Sequence, residues 1–190
     1  MEAHIKRVCQ VSYFQQKTIL TVQRVLSPEA PEKLVHAFVT ARLDYCNSNL
    51  VGISDATVKK LQLLQNSAAR LVSKTGRYEH ISPAIKALHW LPKRYRIDFR
   101  IITLTYNALN ELVPSYIRKI LQIYHSARTL RSTGSNLLLT ARVRFKTFGR
   151  RSYHYAAPAL RNQLSTKLRN CHSISSFKSI LSYQFSITYS

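Results

Sequence analysis

The side chains best able to do chemistry in this chain are three aspartates (Asp44, Asp55 and Asp98), seven histidines and three cysteines. Two-metal phosphoryl transfer requires several carboxylates converging on ions a few ångströms apart. The aspartates are nowhere adjacent, each falls on a different expected element, and Asp44 is followed by Tyr45-Cys46, not by a second acid. A Gly-rich phosphate loop is missing, because the glycines at 52, 76, 134 and 149 are isolated. The histidines at 4, 36, 80, 89, 125, 154 and 172 form no His-x-x-x-His pair, and the cysteines form no Cys-x-x-Cys. Cys171-His172 are adjacent, a poor spacing for two ligands on one metal. His36 and Cys46, ten residues apart on one expected helix, are separated by about 15 Å of rise and cannot act as base and nucleophile there. Cys46 reads instead as a small buried hydrophobe. No catalytic residue, no metal site and no cofactor is expected.

What remains is the chemistry of cations. The 190 residues carry 29 Lys+Arg against 8 Asp+Glu, a formal net charge of +21. Residues 1–111 hold all the acids with 16 Lys+Arg, whereas residues 112–190 hold 13 Lys+Arg and no acid. A carboxylate-free stretch of that length repels itself unless a polyanion screens it, so nucleic acid or an anionic surface is the natural partner. Nucleic acid is favoured, since no strongly amphipathic basic helix with a broad Trp/Phe/Leu face is found. The longest aliphatic run, Leu137-Leu138-Leu139, is far short of the ~18 apolar residues of a membrane span. The opening Met1-Glu2-Ala3-His4-Ile5-Lys6-Arg7 has no apolar signal core. With three widely spaced cysteines, an odd number, this predicts a reduced intracellular protein, nuclear or cytoplasmic and not secreted.

The elements that must carry these cations read mostly as helices, and at 45% hydrophobic residues the chain can build a core. Ser27-Pro28 predicts a helix start, followed by a stripe of Leu34, Phe38, Ala41 and Tyr45. After Gly52, Ser54 or Asp55 caps a second long helix whose apolar face is Val58, Leu61, Leu64, Ala68, Leu71 and Val72. Lys59, Asn66, Arg70 and Lys74 line its other side, and Gly76 ends it. Ser82-Pro83 opens a short helix to His89-Trp90. A third long helix from about Lys93 to Leu112 is apolar nearly all round, as suits the centre of a bundle. Pro114 starts a short helix through roughly Ile123. Beyond a basic loop at 126–135, Leu137-Leu138-Leu139 and Val143 to Phe148 read as two short strands. Tyr153 to Leu164 predicts a helix bent at Pro158, and Ser173 to Phe185 a last one with Phe177, Ile180, Leu181 and Phe185 inward. The expected fold is mainly α: a helical bundle followed by a small basic α+β tail with a short β-hairpin.

Several segments, in order, carry a resemblance. They are Leu34-Val35-His36-Ala37-Phe38-Val39-Thr40-Ala41-Arg42-Leu43-Asp44-Tyr45-Cys46-Asn47-Ser48 and Leu61-Gln62-x-x-Gln65-Asn66-x-Ala68-Ala69-Arg70-Leu71-Val72. His80-Ile81-x-Pro83, Leu88-His89-Trp90-Leu91-Pro92-x-x-x-Arg96-Ile97 and Thr105-Tyr106-x-Ala108-Leu109-Asn110 follow. Pro114-Ser115-Tyr116, Ser126-x-Arg128-x-Leu130-Arg131-Ser132 and Ala156-Ala157-Pro158-x-Leu160 complete the set. Together, from about Ile5 to Phe185, they resemble the C-terminal third of reverse transcriptases of LINE-type (non-LTR) retrotransposons, in the jockey-like and chicken-repeat-like branch. Asn162-Gln163-Leu164-Ser165 stands where that family usually has Trp-Asn-x-Leu-Pro.

The resemblance implies that 1–27 is a palm-end remnant or connecting helix, that 28–123 is a thumb-like helical bundle, and that 124–190 is a basic C-terminal region. In such RNA-directed DNA polymerases the thumb clamps the template–primer duplex. The aromatic-x-Asp-Asp palm motif and the endonuclease domain would precede Met1, so this part of the family's chain is a non-catalytic fragment. Its expected partner is RNA or an RNA–DNA or DNA duplex, bound without sequence preference through phosphates; neither a small-molecule substrate nor a membrane is expected. Candidate contacts are Arg70, Lys74 and Arg77, then Lys93, Arg94 and Arg96, then Arg128, Arg131, Arg142, Arg144, Lys146, Arg150 and Arg151. Tyr153 and Tyr155 are candidates for stacking on unpaired bases. A palm-facing apolar face is expected near Ile5–Leu26, with self-association through it. The alternative is an inert or domesticated helical interaction or structural module without enzymatic activity.

Overall fold

The structure, a computed structural model, describes residues 2–27, 29–45, 47–124, 136–145 and 149–188. The chain is mainly α, built as bundled helices. We label them α1 (Glu2–Val22), α2 (Ala30–Val35), α3 (Ala41–Asp44), α4 (Asp55–Ser73), α5 (Ser82–Ala87), α6 (Lys93–Leu109), α7 (Ser115–Arg118), α8 (Tyr153–Asn162), α9 (Thr166–Arg169) and α10 (Ile174–Thr188). Two compact units are formed, one from Met1–Asn47 with Ile53–Arg94, the other from Ser48–Gly52 with Tyr95–Ser190. Among the described residues no helix is long and apolar enough to cross a membrane.

In the first unit α1 packs along α4. α1 buries Ile5, Ser12, Gln16 and Ile19, and α4 buries Leu61, Leu64, Ala68 and Leu71, each at helical spacing. Glutamines tie the seam: Gln16 Nε2 donates to the Leu64 carbonyl (3.2 Å) and Gln23 Nε2 to the Leu71 carbonyl (3.1 Å). Away from the seam, α1 leaves Tyr13, Leu20 and Val22 exposed, and Phe14 is 72% exposed. These lie in the segment expected to present an apolar face.

Between α2 and α3 the helix widens into a π turn over His36–Thr40. The inward stripe is Pro31, Val35, Val39 and Leu43, which corrects the expected one: Leu34 is half-buried, and Phe38, Ala41 and Tyr45 are exposed. Residues four apart drift around a helix of 3.6 residues per turn, and a widened turn offsets the drift. Trp90 is buried, with its ring edge-on to His36 at 5.4 Å. Lys74, not Gly76, closes α4, in left-handed backbone at φ 54.

The core of the second unit joins Ile102 and Tyr106 of α6 to Leu164, Leu168, Phe177 and Leu181. The Tyr106 and Phe177 rings stack at 4.3 Å between centroids. Phe177 and Leu181 of α10 point inward as expected, but Ile180 is exposed. Leu168 is fully buried in this cluster. Leu168→Ala is therefore expected to cost about 2–5 kcal/mol, through lost burial and the cavity left behind. Urea unfolding of the two proteins measures it.

Among the described residues the expected β-hairpin is not found. Leu138 instead forms an isolated antiparallel bridge with Ile123, through Tyr124 N–H to the Leu137 carbonyl (2.9 Å) and Leu139 N–H to the Gln122 carbonyl (2.8 Å). The Leu138 backbone is taken up on its other side by one side chain. Its N–H donates to Asn162 Oδ1 (2.9 Å), and Asn162 Nδ2 donates back to its carbonyl (2.8 Å). That amide takes the edge of Leu138 that a second strand would use; Lys146, Thr147 and Phe148 of the expected second strand lie outside the described residues.

Candidate nucleic-acid interface

In the first unit three candidates gather where α4 ends. Lys74 and Arg77 are exposed, while Arg70 is partly buried and bent over the loop beyond. Its guanidinium donates to the carbonyls of Gly76 and of Glu79 (2.8 Å for the latter). Cations at a helix C-terminus are favoured by its dipole and by its unpaired carbonyls. Arg70 is therefore a brace that shapes the loop carrying Arg77, and Lys74 and Arg77 are the ends open to a phosphate. Arg94 is exposed and pairs with the equally open Asp55 at 2.9 Å, an ion pair worth only about 0–1 kcal/mol that a phosphate can replace.

Lys93 departs from its expected role. It is 1% exposed; its ammonium donates to the Leu43 carbonyl and to Asn47 Oδ1 (2.6 Å for the latter), with Asp44 at 3.9 Å. The backbone places it there: Lys93 N–H donates to Gln62 Oε1 (2.7 Å), and Gln65 Nε2 donates to the Leu91 carbonyl (2.8 Å). Two α4 glutamines thus pin the Leu91-Pro92-Lys93 segment and turn the lysine inward, where no phosphate reaches it.

In the second unit Arg142, Arg144 and Arg150 are exposed. The Arg150 guanidinium lies over the Tyr155 ring, 6.0 Å from its centroid. A cation held against an aromatic face is attracted by the ring's quadrupole. Tyr153 is placed differently: its hydroxyl donates to Thr105 Oγ1 (3.3 Å) in the interior. Burial raises its phenol pKa, more than that hydrogen bond lowers it. Arg151 is half-buried and donates through Nε to the Gly52 carbonyl (3.1 Å), and Arg96 is half-buried. Arg128, Arg131 and Lys146 lie outside the described residues.

Two cations outside the expected set are drawn inward. Arg161 is buried, with Nη1 donating to the Asn136 carbonyl, and Arg169 is partly buried. Among the described residues, no group of three His, Cys, Asp or Glu side chains is placed to hold a metal ion. No protein-family model, no curated protein and no solved structure matches this chain.

Proposed function

We propose that this chain is a non-catalytic, nucleic-acid-binding part of a LINE-type reverse transcriptase, gripping RNA or a duplex through its phosphates. The observation that carries the reading is the acid-free stretch 112–190 with its 13 Lys+Arg. Within it Arg142, Arg144 and Arg150 are solvent-facing, and Arg150 is paired with an aromatic face. The ordered series of motifs from Leu34 to Leu160 supplies the family. Two of the three aspartates are engaged with other side chains. Asp44 takes an Asn47 Nδ2 hydrogen bond (3.1 Å) beside Lys93, and Asp55 pairs with Arg94.

A second reading, a structural or interaction module with inherited charge, draws on the cations in structural use: Arg70, Lys93 and Arg151. Charge removal at solvent-facing sites separates the two. Replacing Arg142, Arg144 and Arg150 by Gln is expected to weaken binding of all sequences alike. If each contacts one phosphate of duplex DNA, the slope of log K against log salt becomes shallower by about 0.9 per arginine. Fluorescence anisotropy with duplexes of unrelated sequence measures both. An unchanged affinity and slope in the triple variant would favour the structural module.

A further inference from the structure

The second unit contains a half-open cavity of about 480 Å³ that the surface contacts above do not use. Its wall includes Arg161, Arg169 and Tyr106, with apolar lining from residues such as Leu164, Leu168 and Phe177. The polar groups are undersatisfied. Arg169 Nε and Nη1 are buried without an acceptor, and so is the Tyr106 hydroxyl. Arg169 spends only Nη2 on the protein, donating to Thr166 Oγ1 (3.2 Å). Arg161 spends only Nη1, on the Asn136 carbonyl. Neither guanidinium pairs with a carboxylate among the described residues.

We propose that this cavity is a binding site for a nucleotide-sized phosphate monoester. Buried cations and donors are costly when unpaired, and an anion supplies what the protein withholds. Charge selects among oxyanions: a phosphate monoester carries about −1.5 to −2 at pH 7, matching two guanidiniums, whereas a carboxylate or a backbone diester brings one charge. Size and lining select the rest of the ligand, since pockets of about 300–1,000 Å³ with mostly apolar walls and a few converging polar groups suit small molecules. The local field agrees with the geometry. Burial, and after it the nearby Arg169 charge, pulls the Arg161 pKa down to about 10, so Arg161 remains cationic at neutral pH. The site does not depend on the duplex reading, because Arg142, Arg144 and Arg150 do not line it.

Calorimetric titration of the full chain at constant ionic strength tests this, with inorganic phosphate, adenosine 5′-monophosphate and adenosine as probes. The monophosphate is expected to bind saturably at one site and inorganic phosphate more weakly, with no heat from the nucleoside. Arg169→Gln is expected to weaken the monophosphate at least tenfold, and Arg142→Gln to leave it unchanged. Tyr106→Phe keeps the ring stacked on Phe177 and removes only the hydroxyl, so a several-fold loss there supports the site even if the arginine variant fails to fold. A 5′-phosphorylated oligonucleotide that outcompetes its 5′-hydroxyl twin for the bound monophosphate marks a strand end as the natural source. Failure of both to compete marks a free nucleotide, and either result upholds the site, whereas equal competition by the two would mean that backbone diesters bind and would overturn it. No saturable binding of monophosphate or phosphate would overturn it, as would binding that neither Arg169→Gln nor Tyr106→Phe disturbs.

Discussion

Raising salt from 50 to 200 mM is expected to lower the affinity of this chain for duplex nucleic acid about 10³–10⁵-fold. That range follows from counterion release when 6–10 phosphates are neutralised. The structure narrows which of the candidate cations can contribute. Lys93 is buried, and Arg70 and Arg151 are held by backbone carbonyls. Lys74, Arg77, Arg142, Arg144 and Arg150 remain exposed, and Arg94 can exchange its exposed carboxylate partner for a phosphate. Arg128, Arg131 and Lys146, in the same acid-free stretch, would bring the total within the upper part of the range. The measurement is a binding isotherm at each of several potassium chloride concentrations, plotted as log K against log salt. A flat plot with retained affinity would mean that apolar or hydrogen-bonded contacts dominate, and would overturn the proposed phosphate-gripping function.

Helices were legible here wherever the apolar period was unambiguous. Leu61, Leu64, Ala68 and Leu71 of α4 are inward as their spacing requires. The centre of the second unit likewise follows from the nearly all-apolar α6. Legibility failed where two neighbouring stripes were equally apolar. Leu34/Phe38 and Val35/Val39 differ by one position, and the π turn over His36–Thr40 that decides between them has no composition of its own. It failed again at the hairpin, where Leu138 bridges to Ile123 on one side and a side-chain amide 24 residues away takes its backbone on the other. The candidate interface divides in the same way. Exposed arginines in an acid-free run could be read from charge alone. Arg161 and Arg169 could not, because their burial comes from distant packing, though their position among no acids was an available signal.

Lys93→Met is expected to destabilise the protein by about 3–5 kcal/mol, the usual cost of removing one member of a buried charge pair. Methionine can fill much of the space, so the loss falls on the groups left behind. The Leu43 carbonyl and Asn47 Oδ1 lose their donor, and the Asp44 side chain, only 13% exposed, loses the nearby cation. Asp44→Asn in the same background separates charge from packing. If the loss of the cation beside the Asp44 carboxylate is the main cost, Lys93→Met with Asp44→Asn recovers stability over Lys93→Met alone. The coupling between the two changes should then fall in the range of about 0.5–3 kcal/mol found for contacting pairs. Urea denaturation of the four proteins closes the cycle. Were Lys93 a surface phosphate ligand, Lys93→Met would leave stability within about 0.5 kcal/mol and weaken nucleic-acid binding instead. The buried ammonium requires the reverse: a protein much easier to unfold, whose remaining folded fraction binds with unchanged salt dependence.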